Sequence, residues 1–282
     1  MSLAIRPMTC ADLEAAGAIV TAAFGSPYDR TDEVRRYVAL QPDGWLLATV
    51  DDRPVGTVGA LDYGPYAYIS LLAVHPSIQR RGIGLTLMEH ILGWLDARGC
   101  PMTLLDATDF GAPLYRRLGF VEDDGTLVLG RDAGAVPPHT AASTWPLQAM
   151  DLPALARFDA PIFGAARDAV LASYLADAPE RAFVARDATG QMTGYLFAQA
   201  RALGPWVAHV SADAAALLAT ALELPFAGGP EVVVPASNAL AVSLLERHGF
   251  RVTRSLRHMR RGGRGVPSRR TLIYGQASLA IG

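Results

Sequence analysis

Four short patterns recur in the same order in the two halves of this 282-residue chain, and that repetition restricts the available folds more than any other feature. Asp12-Leu13 returns as Asp151-Leu152, and Phe24-Gly25 returns at the same spacing as Phe163-Gly164. Gly64-Pro65-Tyr66 returns as Gly204-Pro205-Trp206. Leu114-Tyr115-Arg116-Arg117-Leu118-Gly119-Phe120 returns as Leu244-Leu245-Glu246-Arg247-His248-Gly249-Phe250, after a second half that has lost about ten residues on the way. Each echo alone is weak, but four in one order imply a duplicated domain. The stretch 131–146 holds Gly134, Pro137-Pro138 and small polar residues without an apolar period, which reads as a linker. The expected domains are therefore 1–130 and 147–282.

In the first half the apolar spacing predicts a strand at 3–6, then a helix capped by Thr9, with Asp12 three positions on, running to about Phe24. A second helix follows at 32–40. Strands are expected at 45–50, 55–63 and 67–74, joined by turns at 51–54 and at Gly64-Pro65. The stripe Leu87, Ile91, Leu95 predicts a helix over 83–98. A strand at 102–107, a helix over 112–118 and a hairpin over 120–129, turning at Asp124-Gly125, complete the half. This order predicts an α/β fold with a mixed sheet: each half a mostly antiparallel sheet with a strand-helix-strand unit and flanking helices.

The composition suits two packed domains, with 51% hydrophobic and 18% charged residues. A formal net charge of -2 supplies no basic field to recruit nucleic acid. The longest apolar runs, such as 69–74 and 207–210, are far too short for a membrane span, and 1–7 lacks the shape of a signal peptide. A cytoplasmic protein with no membrane partner is expected. All 25 residues counted as Lys+Arg are arginine, so the chain has no lysine side chain of its own to acylate. Cys10 and Cys100 belong to no CxxC or His/Cys cluster, so no metal is expected and both thiols are expected to be buried and inert. The arginine-rich stretch 251–270 reads as a solvated strand edge and loop.

The segment Leu72-Ala73-Val74-His75-Pro76-Ser77-Ile78-Gln79-Arg80-Arg81-Gly82-Ile83-Gly84 carries the chemistry. A buried strand ends before Pro76, and a loop of two arginines and two glycines runs into an amphipathic helix. Glycine admits close approach of a ligand, and the N–H groups at a helix start point outward. That pattern suits a diphosphate, with Arg80 and Arg81 able to neutralise a further phosphate. A dinucleotide-binding domain is disfavoured by the loop arginines and by the lack of an acidic residue about twenty positions on.

Here the sequence resembles the GNAT superfamily of N-acetyltransferases, whose signature Gln/Arg-x-x-Gly-x-Gly/Ala matches Gln79-Arg80-Arg81-Gly82-Ile83-Gly84. The resemblance spans about 3–130. It implies acetyl-CoA as co-substrate, with its pantetheine arm on the main chain of Leu72, Ala73 and Val74 and its diphosphate on Gln79, Arg80, Arg81, Gly82, Ile83 and Gly84. It also implies that Tyr115 protonates the departing thiolate, a role suited to a phenol with a pKa near 10. The implied reaction is direct attack by a primary amine of a small molecule. Many relatives carry a glutamate base on the strand before the loop, and 66–71 has no carboxylate. Asp106 leads the candidates, ahead of Asp62, Asp109 and His75, and a base-free reaction of a desolvated amine stays open.

The second half lacks the arginine-glycine loop, with Trp206 to Val210 running almost directly into a helix over 212–222 that Ser211 can cap. Leu245 stands where Tyr115 stands. This copy is expected to turn over no acetyl-CoA, and Asp159, Phe163, Arg167, Trp206 and His209 are candidates for lining an acceptor pocket. A homodimer is compatible with the sequence. The alternative function is a non-catalytic acetyl-CoA sensor or partner-binding protein.

Overall fold

The computed structural model describes residues 2–132, 144–263, 265 and 268–282. Most of the expected linker, including Pro137-Pro138, lies outside the described residues. The chain forms two compact units, Met1–Leu105 with Ile281, and Asp106–Ala280 with Gly282. Among the described residues no helix is long and apolar enough to cross a membrane.

The first unit alternates β1 (Leu3–Pro7), α1 (Leu13–Phe24), α2 (Thr31–Leu40), β2 (Trp45–Val50), β3 (Arg53–Asp62), β4 (Ala67–Val74), α3 (Ile83–Ala97) and the start of β5 (Met102–Ala107). The strands line up in sequence order, antiparallel except for β4 and β5. All six residues of β2 are buried, as the apolar run Trp45-Leu46-Leu47-Ala48 requires. Trp45 lies flat against β3, where a Cβ on Gly59 would come within 2.3 Å of its ring. Leu87, Ile91 and Leu95, the stripe of α3, are 0% exposed.

Local signals act as expected at most boundaries. Thr9 N and Oγ1 both donate to Asp12 Oδ2 at 2.8 Å, closing the capping box before α1. Gly25 ends α1 in the left-handed region, and Gly164 does the same for α5 (Leu152–Phe163), so these echoes mark equivalent helix ends. The β2–β3 turn is tighter than 51–54: pairing continues to Val50↔Arg53, and only Asp51 and Asp52 turn, both at positive φ.

The second unit opens with the end of β5, α4 (Ala112–Arg117) and β6 (Val121–Gly130), then β7 (Trp145–Pro146), α5 and α6 (Asp168–Asp177). It continues with β8 (Ala182–Arg186), β9 (Met192–Ala198), β10 (Ala202–Ala208), α7 (Ser211–Leu222), β11 (Glu231–Pro235), α8 (Ala239–Arg247), β12 (Arg251–Gly262) and β13 (Ile273–Gly275). Its sheet runs β12-β6-β11-β10-β9-β8-β7, with β13 on β10. Leu196, Trp206, Leu217, Val232 and Leu245 form the centre of its core.

Three expectations are corrected here. The Asp124-Gly125 hairpin does not form, because β6 is one ten-residue strand paired with β11 on one edge and β12 on the other. Asp124 is held by Arg270 Nε and Ser237 Oγ at 2.7 Å, and Gly125 is needed because a Cβ there would reach 2.9 Å from Ala236 Cβ. Gly64-Pro65 turns between β3 and β4 as expected, whereas its sequence echo Gly204-Pro205 lies inside β10. Ser211 is the first residue of α7 rather than its cap, and its Oγ lies 3.3 Å from the Tyr274 hydroxyl. Of the two cysteines, Cys10 is exposed, and Cys100 is half-buried with its thiol pushed up by burial.

Candidate active site

The site begins where β4 leaves its neighbour. β4 and β5 pair only at Ala67↔Thr103 and Tyr68↔Leu104, although β4 runs on to Val74. Within that free length the register against β3 shifts between Ser70 and Ala73, and Leu71 takes a φ of 48°. A branched apolar residue in the left-handed region is costly, and a bulge of this kind re-aims the strand's amides. Beside it, Ser70 Oγ is buried with no hydrogen-bond partner, a deficit of about 1–3 kcal/mol for an unmade bond. The sequence carries no glycine or proline to announce the bulge, so Leu71 was not expected in the site.

After Val74 the chain makes a short turn at Pro76–Ile78, fastened by Gln79 Nε2 donating to Val74 O at 3.0 Å and by His75 Nδ1 against Ser77 Oγ at 2.8 Å. Arg80 (φ 63°) and Gly82 (φ 83°) are both left-handed and flank Arg81. Helix α3 then starts at Ile83. Gln79 to Gly82 are exposed. Alternating backbone conformations turn successive N–H groups to one side, and the first N–H groups of a helix have no acceptor within it. An arrangement of this kind can receive an anion, with the helix dipole in support.

Tyr115, in the second unit, sits on α4 with its ring edge-on to Phe120 at 6.0 Å. A Cβ on Gly111 would come within 3.0 Å of the Tyr115 ring, so glycine there lets the loop close over it. No described residue hydrogen-bonds the Tyr115 hydroxyl, and burial pushes its pKa up to about 12. The phenol therefore keeps its proton at any physiological pH.

Asp106 is enclosed. Its side chain and that of His258 are 0% exposed. Oδ1 accepts from Thr126 Oγ1 at 2.6 Å and pairs with His258 Nδ1 at 3.1 Å, while Gln276 Nε2 reaches Oδ2 at 3.5 Å. Arg270 Nη1 lies 3.3 Å from His258 Nε2, and since a guanidinium only donates, Nε2 accepts and Nδ1 carries the proton toward Asp106. Burial alone would raise the pKa of Asp106, but the His258 and Thr126 hydrogen bonds and nearby positive charge outweigh it and hold the carboxyl below its usual value. The sign follows: a depressed pKa adds stability above about pH 4 that is lost as pH falls through the folded value. Asp106→Asn is expected to lower stability at pH 7 and to flatten the acid decline seen in urea melts taken from pH 7 to 3. An unchanged acid decline would show that the ion adds nothing.

Other expected residues find different surroundings. Asp62 accepts from Arg98 Nε at 3.0 Å, and Asp109 from Arg257 Nε at 2.9 Å. Asp159 and Arg167 form a buried ion pair, Phe163 lies under the Arg167 guanidinium, and Trp206 is fully buried against Tyr274; these four are core residues. His209 is exposed and rests on Phe158. Three arginines of 251–270 are answered by neighbouring acids, Arg257 by Glu122, Arg260 by Asp123 and Arg270 by Asp124, while Arg251 and Arg254 are exposed as a solvated strand requires. Leu245 is buried in the second core, without Tyr115's chemistry.

Two family models match the chain: one described as the acetyltransferase (GNAT) family over 14–120, and one as an acetyltransferase (GNAT) domain over 155–275. An acetyltransferase of Sodalis glossinidius (strain morsitans) is 31% identical over 103 residues, which are 35% of this chain and 72% of that protein. A solved structure from Pyrococcus horikoshii, described as an acetyltransferase, matches with a TM-score of 0.86 at 25% identity, covering 99% of this chain and 96% of that one. A tandem GNAT protein from the clavulanic acid biosynthesis pathway matches with a TM-score of 0.61 at 16% identity, covering 94% of this chain and all of that one; it speaks for the fold.

Proposed function

We propose, since this chain belongs to the GNAT family of acetyltransferases, that it moves an acetyl group from acetyl-CoA to a primary amine of a small molecule. The observation that carries this reading is the parted, bulged β4, with an unpartnered buried Ser70 hydroxyl, running into the left-handed loop at the start of α3. The donor set fits the co-substrate. Main-chain groups of Leu72, Ala73 and Val74 would hold the pantetheine arm, and the segment from Gln79 through Arg80, Arg81, Gly82 and Ile83 to Gly84 would hold the diphosphate. When bound, acetyl-CoA supplies the thioester carbonyl that the amine attacks.

Tyr115 is assigned the acid, holding a proton on its hydroxyl for the sulfur that leaves. Asp106, with both oxygens engaged and its carboxyl acidified, is assigned a positioning role at the end of β5, and the amine is proposed to arrive neutral from a dehydrated pocket. A second reading, an acetyl-CoA sensor without turnover, is favoured by the absence of any carboxylate on β4.

Gly82→Val tests the diphosphate loop. A Cβ at Gly82 would meet nothing within 4 Å, but φ is 83°, where a β-branched residue is strained. The loop should change shape while the unit stays folded. Calorimetric titration should find one CoA per parent chain and weakened binding in the variant, with thermal melting little changed. Two equivalent sites per chain, or undiminished affinity in the variant, would overturn the assignment.

A further inference from the structure

The second unit repeats the parting of strands seen in the first. β10 and β11 pair in parallel only at Ala202↔Glu231 and Leu203↔Val232, as β4 and β5 do at Ala67↔Thr103 and Tyr68↔Leu104. β10 also bulges, between Leu203 and Trp206. Aligned on these two-residue ladders, Trp206 and Val207 stand where Leu71 and Leu72 stand in β4.

In the second unit the gap is filled from within. β13 lies antiparallel on β10, with Gly275 opposite Trp206 and Ile273 opposite Val207. Beyond its end, Gln276 N donates to Val233 O of β11 at 2.7 Å. Asn238 Nδ2 donates to Ile273 O at 2.9 Å, and Tyr274 packs on Trp206 with ring centres 5.2 Å apart. The fit is close: a Cβ on Gly275 would reach 2.8 Å from Leu203 O, and one on Gly204 would reach 2.1 Å from Gln276 O.

We infer that β13 is a built-in occupant of the second half's cofactor cleft, making with β10 the main-chain hydrogen bonds that a pantetheine arm makes with β4. The comparison rests on the reading of the β4 cleft as the acetyl-CoA site. The second half therefore takes up no acyl-CoA for two independent reasons: its loop is missing, and its cleft is closed by its own chain. A tethered strand competes at an effective concentration of order millimolar, so free CoA does not displace it. Through Gln276 the occupant also reaches Asp106, tying the closed cleft to the buried network at the end of β5.

Hydrogen exchange read by mass spectrometry on the full chain, with and without saturating CoA, tests this. In the parent, segments 203–208 and 273–276 should exchange slowly before CoA is added and be unchanged by it, while 72–84 gains protection. Gly275→Val should speed exchange at 203–208 and 273–276 about tenfold or more while α7 stays protected. If α7 also loses protection, the smaller Gly275→Ala is judged by the same criterion. A CoA-induced change at 203–208 or 273–276 in the parent, or unchanged exchange at 203–208 in the folded variant, would overturn the inference. Absence of CoA protection at 72–84 would instead count against the first-half site, and the variant would still decide the role of β13.

Discussion

Tyr115→Phe is expected to keep acetyl-CoA affinity and to lower turnover by about 10²–10⁴-fold where proton transfer limits the rate. The ring stays, so its edge contact with Phe120 and its packing on Gly111 survive, and no described residue loses a hydrogen bond. What disappears is one donor placed to hydrogen-bond developing negative charge. The raised pKa sharpens the expectation. A phenol pushed to about 12 is a weaker acid than an ordinary thiol near 8.5, so it stabilises the leaving sulfur chiefly by donating a hydrogen bond as charge grows. It also stays protonated, so the rate of the parent should rise with pH as the amine loses its proton and show no fall from Tyr115 below about pH 10. Single-turnover rates over pH 6–10 for both proteins check both points. Equal rates with chemistry limiting would remove Tyr115 from the mechanism.

Arg167→Met should cost about 3–5 kcal/mol of stability, because it strands a buried carboxylate. Arg167 and Asp159 meet through Nε–Oδ2 at 2.7 Å and Nη2–Oδ1 at 2.9 Å, with both side chains 1% exposed. The guanidinium also stacks on Phe163, 3.8 Å from the ring centre. Tyr195, its phenol pushed well above its ordinary pKa by burial, remains a donor to Asp159 but cannot neutralise it. Replacing both partners, Asp159→Leu with Arg167→Met, should recover much of the loss, since the uncompensated charge is then gone. Urea unfolding of the parent, single and double variants measures this. A single-variant loss below about 1 kcal/mol would show that the pair is not the constraint its burial implies.

How far the sequence could be read depended on how far each signal reached along the chain. The stripe of α3, the Thr9–Asp12 box and the glycines ending α1 and α5 act within a few residues, and each falls where the local pattern puts it. The loop at 79–84 is similarly local. The Gly-Pro echo shows how little a local match fixes: the same dipeptide turns the chain in one half and in the other lies in a strand against Gln276 O, far along the chain. Asp124-Gly125 failed as a turn for a related reason: Ala236, Ser237 and Arg270, far along the chain, hold it extended. Asp106 and His258 lie 152 residues apart, and no local pattern links them. Leu71's left-handed bulge and β13's place in the β10 gap are likewise imposed by pairing rather than by propensity.

The central claim is turnover, and amine-dependent release of the CoA thiol from acetyl-CoA tests it most directly. With a panel of small primary amines, the protein should release thiol in proportion to acetylated amine, at a rate that saturates with both substrates and collapses in Tyr115→Phe. Tight acetyl-CoA binding with no amine-dependent thiol release across the panel would contradict the account and make the chain a sensor.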